Sequence, residues 1–99
     1  MICRYWRGLV RPESPDAYIE HLQARTFPQL ARIPGFKGVS LMKRKLATGV
    51  EFIVQTRWES LEAIVAFAGR DAEAAVVPEE ARQLMVEYDE RARHYEVVV

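Results

Sequence analysis

A chain of 99 residues forms one domain, and at this size it buries roughly 60 to 70% of the surface that its unfolded form exposes. Its 14 basic and 14 acidic residues cancel, so no net charge attracts it to nucleic acid or to an anionic membrane. The single cysteine, Cys3, excludes an internal disulfide and zinc sites built on cysteine pairs, and it fits a reducing cytoplasm. No apolar run approaches the length of a spanning helix, so we expect a soluble, unprocessed, cytoplasmic protein.

The first two predicted elements are a strand and a helix. The strand runs from Ile2 to Val10, mixes aromatic and branched residues with arginines, and ends before Pro12. Ser14 can cap the helix and Pro15 suits its first position. Pro28 should kink or divide this helix near Phe27, because it lacks an N–H and clashes one turn back. The inward stripe of the helix is Tyr18, Leu22, Thr26, Leu30 and Ile33.

The middle of the chain predicts a β-hairpin followed by a helix. Two alternating runs are joined by the segment 47–49, Ala-Thr-Gly, which is typical of a hairpin turn. The exposed basic run at 43–45 should discourage further strand pairing at the sheet edge. Ser60 can cap the next helix, and Gly69 lies where a C-terminal cap is needed.

A third helix is predicted to start at Pro78, with Glu79 and Glu80 in its first turn. Its inward stripe would be Ala81, Leu84, Met85 and Tyr88. The chain then closes with a strand from about Arg93 to Val99. The order β-α-β-β-α-α-β predicts a single α+β domain over residues 1–99, with a ferredoxin-like antiparallel sheet and helices on one face.

The other face of the sheet bears on oligomeric state. In the third strand Phe52, Val54, Thr56 and Trp58 share one side, and Glu51, Ile53, Gln55 and Arg57 share the other. The sheet has more apolar surface than one helical layer can cover. A partner sheet would cover the remainder, so we predict a two-fold homodimer.

Several segments together resemble one known family. The segments "PGFKGVSLMKRK", "EFIVQTRWESLEAIVAFAG", "AAVVPEEAR" and "HYEVV" are similar to those of antibiotic biosynthesis monooxygenase-like proteins of the dimeric α/β-barrel superfamily. The resemblance implies that two sheets face each other in a dimeric barrel, with a ligand pocket between each sheet and its own helices. Trp58 matches a position used by oxygenase and heme-degrading members. Those members pair it with an asparagine, and this chain contains none.

The family's oxygenase chemistry directs attention to the two histidines as catalytic bases. A cofactor-free oxygenase must take a proton from an acidic phenol or anthrone-like substrate and stabilise the resulting anion. His94 and His21 are the only side chains whose ordinary pKa suits that role. His94 and Tyr95 project to opposite faces of the last strand. His94 can enter the pocket only if its own face is the one that the helices cover. The alternative is a histidine held by a backbone carbonyl or by Glu96. His21 lies at the border of the apolar stripe and points either into the cleft or to water.

The remaining candidates would bind substrate. Trp58 is either a pocket wall or plain core. Tyr5 and Trp6 project to opposite faces of the first strand, so one should face the pocket and the other the barrel. Arg57, like Arg4 and Arg7, either pairs with Glu51 or Glu96 or clamps an anion. Phe67 has the spacing of helix core and could line the pocket.

These observations lead to one leading hypothesis and two alternatives. The leading one is a cofactor-independent, metal-free monooxygenase that acts on a small aromatic or polyketide-like ligand as a cytoplasmic homodimer. The first alternative is a non-catalytic small-molecule-binding or stress-related barrel protein, which the missing asparagine favours. The second alternative is heme handling, which would require a histidine facing an apolar cavity. Phosphate loops, zinc-protease helices and nucleophile elbows are absent from the sequence.

Overall fold

The computed structural model describes residues 1–99 as one sheet with helices packed on one face. The strands are β1 (Ile2–Val10), β2 (Phe36–Leu46), β3 (Gly49–Trp58), β4 (Met85–Tyr88) and β5 (Arg93–Glu96). The α-helices are α1 (Pro15–His21), α2 (Phe27–Ala31), α3 (Leu61–Ala68) and α4 (Glu79–Arg82), and a π-helical turn (Leu22–Thr26) joins the first two. The order of paired strands is β2-β3-β1-β4, with β5 also paired to β1, and all pairs are antiparallel. This is the predicted ferredoxin-like α+β arrangement.

Strand parity separates the two faces of the sheet as predicted. Residues paired across antiparallel strands share a face, so the pairs Arg4 with Thr56 and Trp6 with Val54 lie together on the helix side. Ile53 and its alternate neighbours in β3 lie on the open side. The predicted division of β3 into two faces is therefore confirmed.

The first helix is divided at its proline, as predicted. Pro15 occupies the first helical turn. The N–H of Phe27 bonds to the carbonyl of Leu22, five residues back, and α2 begins there with Pro28 in its first turn. The wider π turn accommodates a proline that a continuous α-helix would reject. Ser14 occupies the N-cap position as predicted, but its side chain makes no capping hydrogen bond.

The hairpin and α3 follow the sequence prediction closely. Leu46 pairs with Gly49, so Ala47 and Thr48 form the turn. Gly49 has φ +154°, and a Cβ there would lie 2.3 Å from the carbonyl oxygen of Val10. Strand β1 therefore passes too close for any other residue type. In α3, the hydroxyl of Ser60 accepts a hydrogen bond from the Ala63 N–H at 3.3 Å.

The predicted third helix is wrong beyond its first turn. Helix α4 ends at Arg82, and Met85–Tyr88 form strand β4 instead. Tyr88 pairs with Gly8 and Met85 with Val10, with a register shift between them. In a regular strand, residues three apart point to opposite faces. The extra residue of a β-bulge shifts this alternation by one, so Met85 and Tyr88 both face the helices. That spacing imitates a helical stripe, and the inward positions were predicted correctly although the element type was not.

The core lies between the sheet and the helices in two neighbouring clusters. One surrounds Phe52, Val10 and Tyr18, and the other surrounds Trp58 and Ile64. Strand β5 ends at Glu96, three residues before the predicted end, and the last residues, Val98 and Val99, are exposed. No helix is long and apolar enough to cross a membrane.

Candidate functional site

A cavity lies between the helical layer and the sheet, between the two core clusters. It is partly open to solvent and has a volume of about 70 Å³. This is less than the roughly 150 Å³ that holds a benzene ring in an engineered apolar cavity, so an aromatic ligand would also occupy the mouth or widen it. The lining is mostly apolar and consists of Arg4, Trp6, Tyr18, His21, Leu22, Thr26, Leu30, Val54, Thr56, Phe67, Val76, Val77, Pro78 and Ala81.

Trp6 reaches this cavity because of the parity of β1 and the glycine beside it. Its indole N–H donates to the carbonyl of Asp89 at 2.7 Å, which fixes the ring. A Cβ on Gly8 would lie 2.6 Å from the Trp6 ring, so only glycine leaves room for the indole in this orientation. Tyr5 projects to the opposite face. The sequence left that choice open, and the structure assigns the cavity to Trp6.

His21 also lines the cavity, from the last residue of α1. Its Nε2 atom is buried and has no hydrogen-bond partner in the protein. A buried polar atom without a partner costs free energy, about 1–3 kcal/mol, and such atoms are uncommon in folded proteins. The arrangement leaves one imidazole nitrogen of a cavity-lining residue without a hydrogen-bond partner.

Arg4 brings a cation into the wall of the same cavity. The residue is 5% exposed. Its Nη1 donates to the carbonyl of Ala72 and to Nε2 of His94, the latter at 2.8 Å, and its Nη2 donates to the carbonyl of Ala74 at 2.8 Å. Burial lowers the pKa of Arg4, and the negative charge of Glu73 partly opposes this. Arg4 thus ties the segment before Val76 to the sheet.

His94 lies on the helix side of the sheet but outside the cavity lining. It pairs with Arg4 across β1 and β5. Since a guanidinium can only donate, Nε2 of His94 accepts, and the ring is neutral in this contact. Burial lowers the pKa of His94, as does the charge of Arg4, while Glu73 raises it less strongly. His94 therefore supports Arg4 from behind, where the sequence alone pointed to Glu96 or a backbone carbonyl as its partner.

Trp58 lies one layer behind the cavity. It is fully buried, and its indole N–H donates to the hydroxyl of Thr56 at 2.8 Å. Its ring stacks on Phe67 with 5.9 Å between centroids, and Phe67 lines the cavity while Trp58 does not. Trp58 therefore shapes the cavity through Phe67 and Thr56.

Two of the predicted binding residues lie on the open face, outside this cavity. Tyr5 is covered by the guanidinium of Arg93, 5.0 Å from the ring centroid. Arg57 donates to the hydroxyl of Ser40 at 3.1 Å. On the same face Arg7 pairs with Glu51 at 2.5 Å, as the sequence predicted.

Of the predicted site residues, the structure thus brings together His21, Trp6 and Phe67. The sequence analysis left Arg4 open between an ion pair and an anion clamp, and it did not select Tyr18 for this site. Arg4 could have been found by parity, because it lies two residues from Trp6 in a strand. Tyr18 was predicted as core; burial raises the pKa of its hydroxyl well above the ordinary value, so it stays protonated. No three His, Cys, Asp or Glu side chains come close enough together to hold a metal ion.

Comparison with known proteins gives one family match and several structures of similar fold. The sequence model of the family described as antibiotic biosynthesis monooxygenase matches residues 1–79. The structure of the heme-degrader MhuD of Mycobacterium tuberculosis, with two hemes bound in its active site, is similar at 25% identity and a TM-score of 0.63, covering 100% of this chain and 97% of that one. A monooxygenase of Streptomyces coelicolor in complex with nanaomycin D has the same fold at 18% identity and a TM-score of 0.62, covering 99% and 88%. No curated protein matches the chain in sequence.

Proposed function

The chain belongs to the antibiotic biosynthesis monooxygenase family, and on that basis we propose that it is a cofactor-independent monooxygenase of a small aromatic or polyketide-like substrate. The site of the reaction is the cavity between α1 and the sheet. Its base is His21, and its walls are Trp6 and Phe67. The monooxygenase with nanaomycin D bound supports an aromatic polyketide as the kind of ligand.

The unpartnered Nε2 of His21 carries this proposal. A histidine that served only packing would direct its polar atoms to water or to a carbonyl group. Here His21 lines a mostly apolar cavity and its Nε2 is buried without a partner, at a cost in stability that an acidic group of a ligand would relieve on reaching it. Imidazole is also the side chain whose ordinary pKa is closest to neutrality, as a general base requires.

The chemistry needs no electron source other than the substrate. His21 takes a proton from an activated CH₂ or phenol, and the electron-rich anion reacts with O₂. For a methylene centre the balance is R₂CH₂ + O₂ → R₂C=O + H₂O: one oxygen atom enters the product and the other leaves as water. The protein's part is to remove the proton, exclude bulk water and keep the anion in contact with a cation.

The other predicted residues have supporting places in this proposal. Trp58 backs Phe67, and His94 holds Arg4 in the cavity wall. Tyr5 and Arg57 lie on the open face, where we propose that a second copy packs to form a homodimer in the cytoplasm. Ile53 and Tyr5 are half-buried on that face, and a partner sheet would complete their burial.

Heme does not fit the cavity in this structure. At about 70 Å³ the cavity must widen or extend through its mouth for any polycyclic ligand, and heme, which is much larger than an anthrone, would require the greatest displacement of the walls. We therefore assign no step to heme.

A non-catalytic binding protein is the second candidate, and the position of Trp58 favours it. The resemblance implies a role for this tryptophan at the site, but its ring is sealed from the cavity and its N–H is engaged by Thr56. Such a protein would keep the cavity and its ligand without turning the ligand over.

Oxygen uptake distinguishes the two candidates. Purified protein is supplied with a panel of anthrones and quinols, and the wild type is compared with His21→Gln and with Arg32→Gln, a control at an exposed position outside the cavity. Loss of a general base should slow turnover by about 10²–10⁴-fold, and the control should match the wild type. Turnover that survives in His21→Gln rejects the base assignment. Binding without oxygen uptake supports the second candidate.

A further inference from the structure

The charge of Arg4 is not balanced within the protein. The structure gives four ion pairs, and Arg4 takes part in none of them. Its partners are two backbone carbonyls, a neutral imidazole and the ring of Phe67, whose centroid lies 5.7 Å from the guanidinium carbon. The nearest influential carboxylate is that of Glu73, which acts on Arg4 through space only; its oxygen accepts from the backbone N–H of His94 at 3.4 Å. A buried guanidinium in contact with no carboxylate is costly, because burial removes water that nothing fully replaces.

Arg4 also has hydrogen-bonding capacity to spare. A guanidinium has five N–H groups, and three of them are engaged, two on Nη1 and one on Nη2. The Nε–H and one N–H of Nη2 are left without a partner in the protein. Each of these N–H groups can donate a charge-assisted hydrogen bond to a carboxylate oxygen.

The walls of the cavity supply no competing anion. Its ionisable residues are Arg4, His21 and Tyr18, and no aspartate or glutamate lines it. Tyr18 is neutral because its pKa is raised by burial. The lining therefore carries a positive charge near apolar and aromatic surface from Trp6 and Phe67.

We propose that the ligand of this cavity is an aromatic carboxylate, with its carboxyl group on Arg4 and its ring between Trp6 and Phe67. This inference rests on the proposed function to the extent that it takes the same cavity as the ligand site, and it specifies the substrate class. The carboxylate is distinct from the acidic C–H or O–H that His21 deprotonates. Arg4 selects the ligand by its fixed charge, and His21 acts on a second group.

The test compares ligands that differ in charge and hardly at all in shape. Benzoate with benzamide, and 1-naphthoate with 1-naphthamide, are titrated into the wild-type protein without oxygen, and binding is followed by calorimetry and by tryptophan fluorescence. Each acid should bind at least about tenfold more tightly than its amide, because a charge-assisted pair with buried arginine replaces a neutral contact. Trp6→Phe should remove most of the fluorescence change while the calorimetric preference remains.

Variants then assign the preference to Arg4. In Arg4→Gln the acid and the amide should bind with similar affinity, whereas in Arg32→Gln the wild-type preference should persist. Arg4 also holds the segment 72–74, so Arg4→Lys, which keeps the charge, is measured beside it and should retain part of the preference. Thermal unfolding of each variant shows that it is folded.

The possible failures are distinguishable from those of the proposed function. Equal affinity for acid and amide in the wild type, or no saturable binding of either acid, overturns the inference, as does a preference that is unchanged in folded Arg4→Gln. Oxygenation of neutral phenols with no advantage to their carboxylated analogues also overturns it while leaving the monooxygenase proposal intact. A tenfold preference for acids without any oxygen uptake supports the ligand class and rejects the oxygenase.

Discussion

Replacing His21 by leucine should make the protein more stable while it removes activity. The buried Nε2 has no hydrogen-bond partner, and leaving such a group unpaired costs about 1–3 kcal/mol. Leucine fills a similar space with no polar atom, so the free energy of unfolding should rise by up to that amount. For a domain of this size, 1 kcal/mol corresponds to a shift of about 4–8 °C in Tm.

The assay is urea or thermal unfolding of wild type, His21→Leu and His21→Gln at one protein concentration, because dimerisation makes stability depend on concentration. The glutamine variant keeps polar atoms at the site and should gain little. A gain in Tm of at least about 4 °C for leucine alone, together with lost turnover, is the expected pattern. If His21→Leu is as stable as the wild type or less stable, the nitrogen is satisfied by bound water, and the argument for a free base fails.

Three further predictions concern residues around the site. Trp58→Phe should lower the free energy of unfolding by about 1–3 kcal/mol in urea titrations, since it loses the bond to Thr56 and leaves a gap in a packed cluster; an unchanged midpoint would show that this bond contributes nothing. Burial and the charge of Arg4 lower the pKa of His94. As the pH falls, His94 of the unfolded chain therefore takes up a proton near the ordinary pKa of 6.5, whereas the folded protein does so only at a lower pH. Stability should therefore be complete above that pH and fall as the pH drops below it, and His94→Gln should flatten this fall; an identical pH profile for the variant contradicts the assignment. Gly49→Ala should destabilise by about 1–3 kcal/mol or more, because its φ is +154° and its Cβ would lie 2.3 Å from a backbone oxygen; a Tm equal to that of the wild type would refute the close approach.

The local rules of sequence were sufficient for most of the fold. Alternation in β3, the proline that divides the first helix, and the glycine at the hairpin each express a constraint within a few residues of chain. Strand β4 was missed because its bulge depends on pairing with β1, which lies about 75 residues earlier in the chain. A spacing of three between Met85 and Tyr88 is the same in a helix and in a bulged strand.

The site was less accessible to sequence reasoning than the fold. Parity established that Tyr5 and Trp6 are on opposite faces, but only the packing of helices decides which face is which. The partner of His94 is Arg4, which lies 90 positions away. The lack of a partner for the His21 nitrogen likewise depends on the cavity between α1 and the sheet. The residue pattern of neither element alone predicts that cavity.

The most direct test of the proposed function is the fate of molecular oxygen. Protein and an anthrone substrate are incubated under ¹⁸O₂ in unlabelled water, and the product is weighed by mass spectrometry. The monooxygenase proposal predicts that one ¹⁸O atom enters the product, at a rate that falls by about 10²–10⁴-fold in His21→Gln. Product that carries oxygen from water, or labelling at the rate of a protein-free control, would contradict it.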